Sequence, residues 1–169
     1  AGGGLASSIM TSEDDVEAPL ARLAELEVGP GDAVLALAAS GTTPFALAGI
    51  RAARAAGAWT CGIANNGATP LLSAGDLGIH LATGPEILTG STRLQAATAQ
   101  KLALNRITVA AMVLAGRVEA NHMVDMRASF EKLRRRAVRI VADLAAVDEA
   151  EATARLERSD WAIRRALDG

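Results

Sequence analysis

The chain has 169 residues, enough for one domain that buries roughly 70% of its extended-chain surface. Half of the residues are apolar but only 2% are aromatic, so the core must be built from Ala, Leu, Val and Ile, with close backbone approach through Ala and Gly. A net charge of −2 supplies no basic field for nucleic acid or an anionic membrane, and the single Cys excludes an intrachain disulfide and fits a reducing compartment.

The chain opens on Ala1-Gly2-Gly3-Gly4, a turn-like stretch with neither an initiating Met nor a signal peptide, which reads as the middle of a longer protein. Leu5 to Met10 suggests a helical turn. Glu13-Asp14-Asp15 is an acidic cluster whose plainest reading is a solvated first turn favoured by a helix dipole. Ala18 to Leu26 predicts a short helix, and Val28-Gly29-Pro30-Gly31-Asp32 a turn. A strand–helix–strand rhythm follows. Ala33 to Ala39 is a continuous apolar run of strand length, and Phe45 to Ala56 is helical and stopped by Gly57. Trp59 to Ala64 is a second strand, Asn65-Asn66-Gly67 a loop, Pro70 to Ala74 a short turn or helix start and Gly78 to Ala82 a third strand. The alternation implies right-handed crossovers and a parallel sheet covered on both faces: an α/β, three-layer α-β-α domain.

Beyond Ser91 the pattern changes. Thr92 to Ala115 is a long helix, apolar nearly all round, which predicts burial in the core or against another subunit. Val118 to Met126 is a connector. Ala128 to Ala145 is an amphipathic helix whose Arg134, Arg135, Arg136 and Arg139 make a solvated basic face. Asp148 to Leu167 is a last helical region with a break near Ser159-Asp160. The expected division is a domain over 1–127 and a helical region over 128–169.

In open α/β folds ligands bind at the carboxyl edge of the sheet. Three loops converge there: Ser40-Gly41-Thr42-Thr43, Asn65-Asn66-Gly67, and Thr83 to Glu86 continuing into Gly90-Ser91-Thr92-Arg93. Backbone N–H groups and hydroxyls at a helix N-terminus suit a phosphate, although either Ser/Thr loop alone reads equally well as ordinary capping. Glu86, at the third loop, could act as a general base or hold a sugar hydroxyl; it could equally cap a helix or pair with Arg93. His80, His122 and Cys61 have no metal-ligand spacing, no Gly-Lys-Ser/Thr follows the first turn, and no nucleophile-elbow pattern surrounds Ser40. Neither a metal nor another cofactor is expected.

The segment Ala38-Ala39-Ser40-Gly41-Thr42-Thr43-Pro44-Phe45 resembles the sugar-phosphate turn of the N-acetylmuramic acid 6-phosphate etherases. The run from Gly84-Pro85-Glu86 through Gly90-Ser91-Thr92-Arg93 to Asn105 is similar to their longest signature. Asn121 to Asp125, Ala1-Gly2-Gly3 with Glu13-Asp14, and Glu151 to Leu167 resemble further family segments. The resemblance implies a SIS (sugar isomerase) domain, usually dimeric. The implied reaction cleaves the D-lactyl ether of N-acetylmuramic acid 6-phosphate, giving N-acetylglucosamine 6-phosphate and D-lactate in cell-wall recycling. It implies Glu13 as the base, and Ser40, Gly41, Thr42, Thr43, Ser91 and Thr92 as the phosphate-binding set. Glu86 would lie at the sugar. Thr43 stands where the family usually carries Arg, and Asn65-Asn66 where it usually has Cys-Asn.

The family segment that carries the catalytic acid has no counterpart in these residues, so the isolated chain is expected to show little etherase activity. The alternatives are a non-catalytic sugar-phosphate sensor and, more weakly, an aldose–ketose isomerase with Glu86 as base. The partner in each case is a small sugar phosphate, with no nucleic acid and no membrane.

Overall fold

The computed structural model describes residues 12–168, so the expected turn at Leu5 to Met10 and the Ala1-Gly2-Gly3 segment lie outside the described residues. The chain forms two compact units that meet between Leu104 and Asn105, inside one helix.

The first unit runs α1 (Glu17–Glu25), β1 (Ala33–Leu37), α2 (Pro44–Ala55), β2 (Trp59–Ala64), α3 (Pro70–Ala74) and β3 (Leu77–His80), and then enters α4 (Gln95–Leu114). Asp15 caps α1, its Oδ1 accepting the N–H groups of Glu17 and Ala18 at 3.0 Å each. The acidic cluster thus divides: Asp15 serves the helix, as a solvated first turn should, while Glu13 lies further on. Proline at the first turn of α2 and of α3 fixes φ where no N–H is needed.

The three strands are parallel in the order β1-β2-β3, with Ala33 opposite Trp59 and Cys61 opposite Leu77. α2 packs over β1 and β2, and α3 over β2 and β3, so both crossovers share one face. Ala38, Ala46, Ile50 and Leu71 form the core beneath them. A Cβ on Gly62 would come within 2.0 Å of the Leu71 carbonyl oxygen, and one on Gly78 within 2.1 Å of that of Leu72. α3 therefore rests directly on the strand backbones, which is how a chain nearly free of aromatics achieves dense layers. Cys61 and Ile63 point to the other face of β2 and are fully buried too. Burial pushes the Cys61 thiol pKa up. The Thr60 hydroxyl donates to Asp76 Oδ2 at 2.7 Å and the Thr60 N–H does so at 2.9 Å, which ties β2 to the entry of β3.

The α/β class with a helix-flanked parallel sheet holds, followed by C-terminal helices. Several bounds shift for physical reasons. The long helix begins at Gln95 rather than Thr92, because its first N–H groups are capped by a distant carboxylate. The basic helix, α5 (Glu131–Ala145), begins three residues late. The Ala128 N–H donates to Trp161 O at 3.1 Å, and Arg127 pairs with Ala162 in a β-bridge, so this backbone is extended. The connector holds a small hairpin, β4 (Val118–Glu119) and β5 (His122–Met123).

The second unit packs this hairpin's exit with α5, α6 (Glu149–Arg158) and α7 (Ile163–Leu167) around Val124, Ile140, Val141, Leu156 and Ile163. α6 and α7 are separated near Ser159-Asp160, where Asp160 and Trp161 take positive φ. The Arg134 guanidinium lies 4.7 Å over the Trp161 ring.

α4 is not in the core of this chain, one of the two settings its sequence allowed: only Ala96 is buried, and Leu102, Val109, Met112, Val113 and Leu114 are exposed. Among the described residues no helix is long and apolar enough to cross a membrane.

Candidate functional site

The carboxyl edge of the sheet is built loop by loop. Leaving β1, the Ala38 N–H donates to Ile63 O at 3.1 Å, and the Ala39 carbonyl accepts the N–H groups of Asn65 and Asn66 at 3.1 and 3.2 Å. The ends of β1 and β2 are thereby locked together. The chain then turns at Gly41, buried with φ +71°; its Cα faces Thr69 so closely that an added Cβ would meet Thr69 Oγ1 at 2.1 Å. The Gly41 carbonyl accepts the Leu71 N–H at 3.1 Å, which pins the turn to α3. Inside the turn the Ser40 hydroxyl accepts the Thr42 N–H at 3.2 Å and lies 3.5 Å from Thr43 Oγ1. Thr43 is extended because Pro44 follows it. The Phe45 N–H, in the first turn of α2, donates to the Glu13 carbonyl at 3.0 Å and draws the acidic segment across the helix end.

The third loop is closed by Glu86. Its Oε2 accepts the Gln95 N–H and its Oε1 the Ala96 N–H, both at 2.9 Å. The carboxylate therefore sits on the positive end of α4. Of the alternatives the sequence left for Glu86, capping is the one this geometry displays, and no ion pair with Arg93 forms. Asn65 joins the second loop to the others: its Nδ2 donates to Leu81 O at 3.2 Å and to Thr83 Oγ1 at 3.4 Å, while its Oδ1 accepts from Gln100 Nε2 at 2.9 Å.

These loops enclose a cavity of about 720 Å³ whose walls bring together Glu13, Ser40, Thr43, Ser91, Thr92 and Arg93. An adjoining cavity of about 280 Å³ shares Ser40 and Thr92 and adds Glu86, Asn65 and Thr83. Of the anticipated residues, Gly41 and Thr42 line neither cavity; Gly41 is the buried pivot of the turn, and Thr42 faces solvent. Arg93 and Gln100 line the larger cavity without having been singled out. Gln100 had one visible signal, a lone amide beyond Ala96 and Ala97 on an alanine-rich helical face. A larger groove of about 810 Å³ on α5 is lined by Phe130, Leu133 and four cations, and no hydroxyl turn faces it.

Paired hydroxyl turns at the carboxyl edge of a parallel sheet agree with a sequence profile of the SIS domain, which matches residues 17–115. The chain belongs to the SIS domain family. The SIS domain match spans α1 through α4, and therefore both hydroxyl turns. The whole chain is also similar to curated relatives described as N-acetylmuramic acid 6-phosphate etherase. The relative from Deinococcus radiodurans is 47% identical over 156 residues, covering 92% of this chain and 51% of its own length. Those from Symbiobacterium thermophilum and Streptomyces avermitilis are 42% and 43% identical, covering 98% and 96% of this chain and 56% and 52% of their own lengths. The chain thus spans about half the length of the curated relatives it matches.

Proposed function

We propose that this chain carries the sugar-phosphate-binding part of an N-acetylmuramic acid 6-phosphate etherase. The observation that carries the reading is one cavity lined by Glu13, Ser40, Thr43, Ser91 and Thr92, in a chain 39–47% identical to relatives so named. In this reading the hydroxyl turns hold the 6-phosphate. The Glu13 carboxylate takes the proton from C2 of the sugar. The electron pair forms the C2–C3 double bond as the C3–O bond breaks and D-lactate leaves. Water then adds at C3, giving N-acetylglucosamine 6-phosphate. The acid that protonates the departing lactate is assigned to no residue of this chain. Gly41 shapes the phosphate turn, Thr42 supports it through its bond to Ser40, and Glu86 holds the third loop against α4.

The proposed setting is amino-sugar recycling from peptidoglycan in the cytoplasm. The proposed assembly is a homodimer, supported by the exposed apolar residues of α4, a surface of the kind a partner covers. The sugar-phosphate part would extend over 1–127 and the helical region over 128–169.

The test is release of D-lactate from N-acetylmuramic acid 6-phosphate by the full-length protein. Glu13→Gln is expected to lower that rate by about 100-fold or more while N-acetylglucosamine 6-phosphate still binds. Unchanged lactate release in the variant would remove Glu13 from the chemistry.

A second reading, a sugar-phosphate sensor, is favoured by one observation: among the described residues Glu13 is the only carboxylate lining the larger cavity, whereas elimination needs both a base and an acid. Binding of the sugar phosphate without turnover by the full-length protein identifies it. The isomerase reading is weakened because both oxygens of Glu86 already accept backbone N–H groups.

A further inference from the structure

An anion held among Ser40, Thr43, Ser91 and Thr92 needs positive potential, and two helix N-termini are the obvious sources. Neither is fully available. At α4 the first N–H groups, those of Gln95 and Ala96, already donate to the Glu86 carboxylate. At α2 the first residue is Pro44, which has no N–H, and the next N–H, that of Phe45, donates to Glu13 O. A resident negative charge therefore offsets one helix end, and the other has lost its first donors.

Arg93 supplies what is missing. Among the described residues it is the only Lys or Arg that lines the cavity of about 720 Å³. It is exposed and forms no salt bridge among the described residues. Glu86, the carboxylate nearest in sequence, is committed to the helix end and does not neutralise it. Arg93 also lies within the short loop that the Glu86 clasp closes, so its backbone is held in place without its charge being consumed. A guanidinium presents a planar fork of donors that matches two oxygens of a phosphate.

We propose that Arg93 is the residue by which this site selects phosphorylated over unphosphorylated sugars. The inference rests on the sugar-phosphate reading above and adds the group that discriminates.

The experiment is isothermal titration of the full chain with N-acetylglucosamine 6-phosphate, N-acetylglucosamine and inorganic phosphate, for the unaltered protein and for Arg93→Gln. The expected result is a loss of about 10- to 100-fold in affinity for the phosphorylated sugar, with affinity for the unphosphorylated sugar unchanged. A variant that binds the phosphorylated sugar as tightly as the unaltered protein overturns the role of Arg93 and leaves the sugar-phosphate reading standing. Failure of the unaltered protein to bind either phosphate compound overturns both. A measurement without any variant guards against misfolding: N-acetylglucosamine 6-phosphate, but not N-acetylglucosamine, should protect Arg93 from modification by phenylglyoxal, read by peptide mass spectrometry. Equal modification with and without the phosphorylated sugar overturns the proposal.

Discussion

Gly41→Ala tests how the turn from Ser40 to Thr43 is held. Gly41 has φ +71°, and a Cβ there would meet Thr69 Oγ1 at 2.1 Å, Thr69 Cβ at 2.5 Å and Thr69 Cγ2 at 2.9 Å. Two costs therefore add. The left-handed backbone costs an L-residue about 1–2 kcal/mol. Displacing Thr69 costs about 1–3 kcal/mol more, as overpacking does elsewhere. Gly84 separates the two, because it has φ +72° and nothing within 4 Å of its virtual Cβ. Gly84→Ala is expected to cost about 1–2 kcal/mol and Gly41→Ala about 2–5 kcal/mol, measured by urea unfolding with unchanged m values. Because the Gly41 carbonyl also accepts the Leu71 N–H, the shift should pass into α3 and loosen the turn for ligand. Equal destabilisation by the two substitutions would refute the claim that Thr69 packs against the pivot of the turn.

Glu86→Ala should destabilise the chain by about 1–3 kcal/mol, since it strands the N–H groups of Gln95 and of buried Ala96. Hydrogen exchange should show protection lost first at those two amides. Asp76 gives a pH signature. The hydrogen bond from the Thr60 hydroxyl, then that from the Thr60 N–H, hold its carboxyl below the usual carboxylate range, with Arg54 adding to the effect. Its pKa is lowered on folding, so its stabilisation is fully present above the ordinary carboxylate range and fades as pH falls through the folded value. The stability difference between the unaltered protein and Asp76→Asn should be constant near neutral pH and shrink below about pH 4 in urea unfolding.

What the sequence revealed and what it hid divides along the range of the interaction involved. β1 was legible because a continuous apolar run needs no partner to be recognised, and β2 from its place in the strand–helix–strand rhythm after Gly57. α2 was legible from its local stop at Gly57, and the place of α3 from Pro70, although a short turn read equally well there. The hairpin of β4 and β5 was not, because two-residue strands leave too little alternation to read. The true start of α4 was hidden because its cap, Glu86, stands well upstream of the first turn. The acidic cluster shows the same limit. Nothing in Glu13-Asp14-Asp15 says which residue caps a helix and which meets a cavity; the α1 cap selects Asp15, and a bond from Phe45, far along the chain, positions Glu13.

Glu86 also decides how charge is shared in the site. Had it paired with Arg93, as their closeness in sequence suggested, the helix end of α4 would face the hydroxyls as a bare positive dipole and the guanidinium would be neutralised. With Glu86 on the helix instead, the larger cavity is left, among the described residues, with one carboxylate, Glu13, and one cation, Arg93. In the proposed reading, Glu13 as base and Arg93 as phosphate partner act on one ligand from the walls of one cavity. In that reading the Glu86 clasp matters because it occupies the end of α4 and leaves the Arg93 guanidinium for the phosphate.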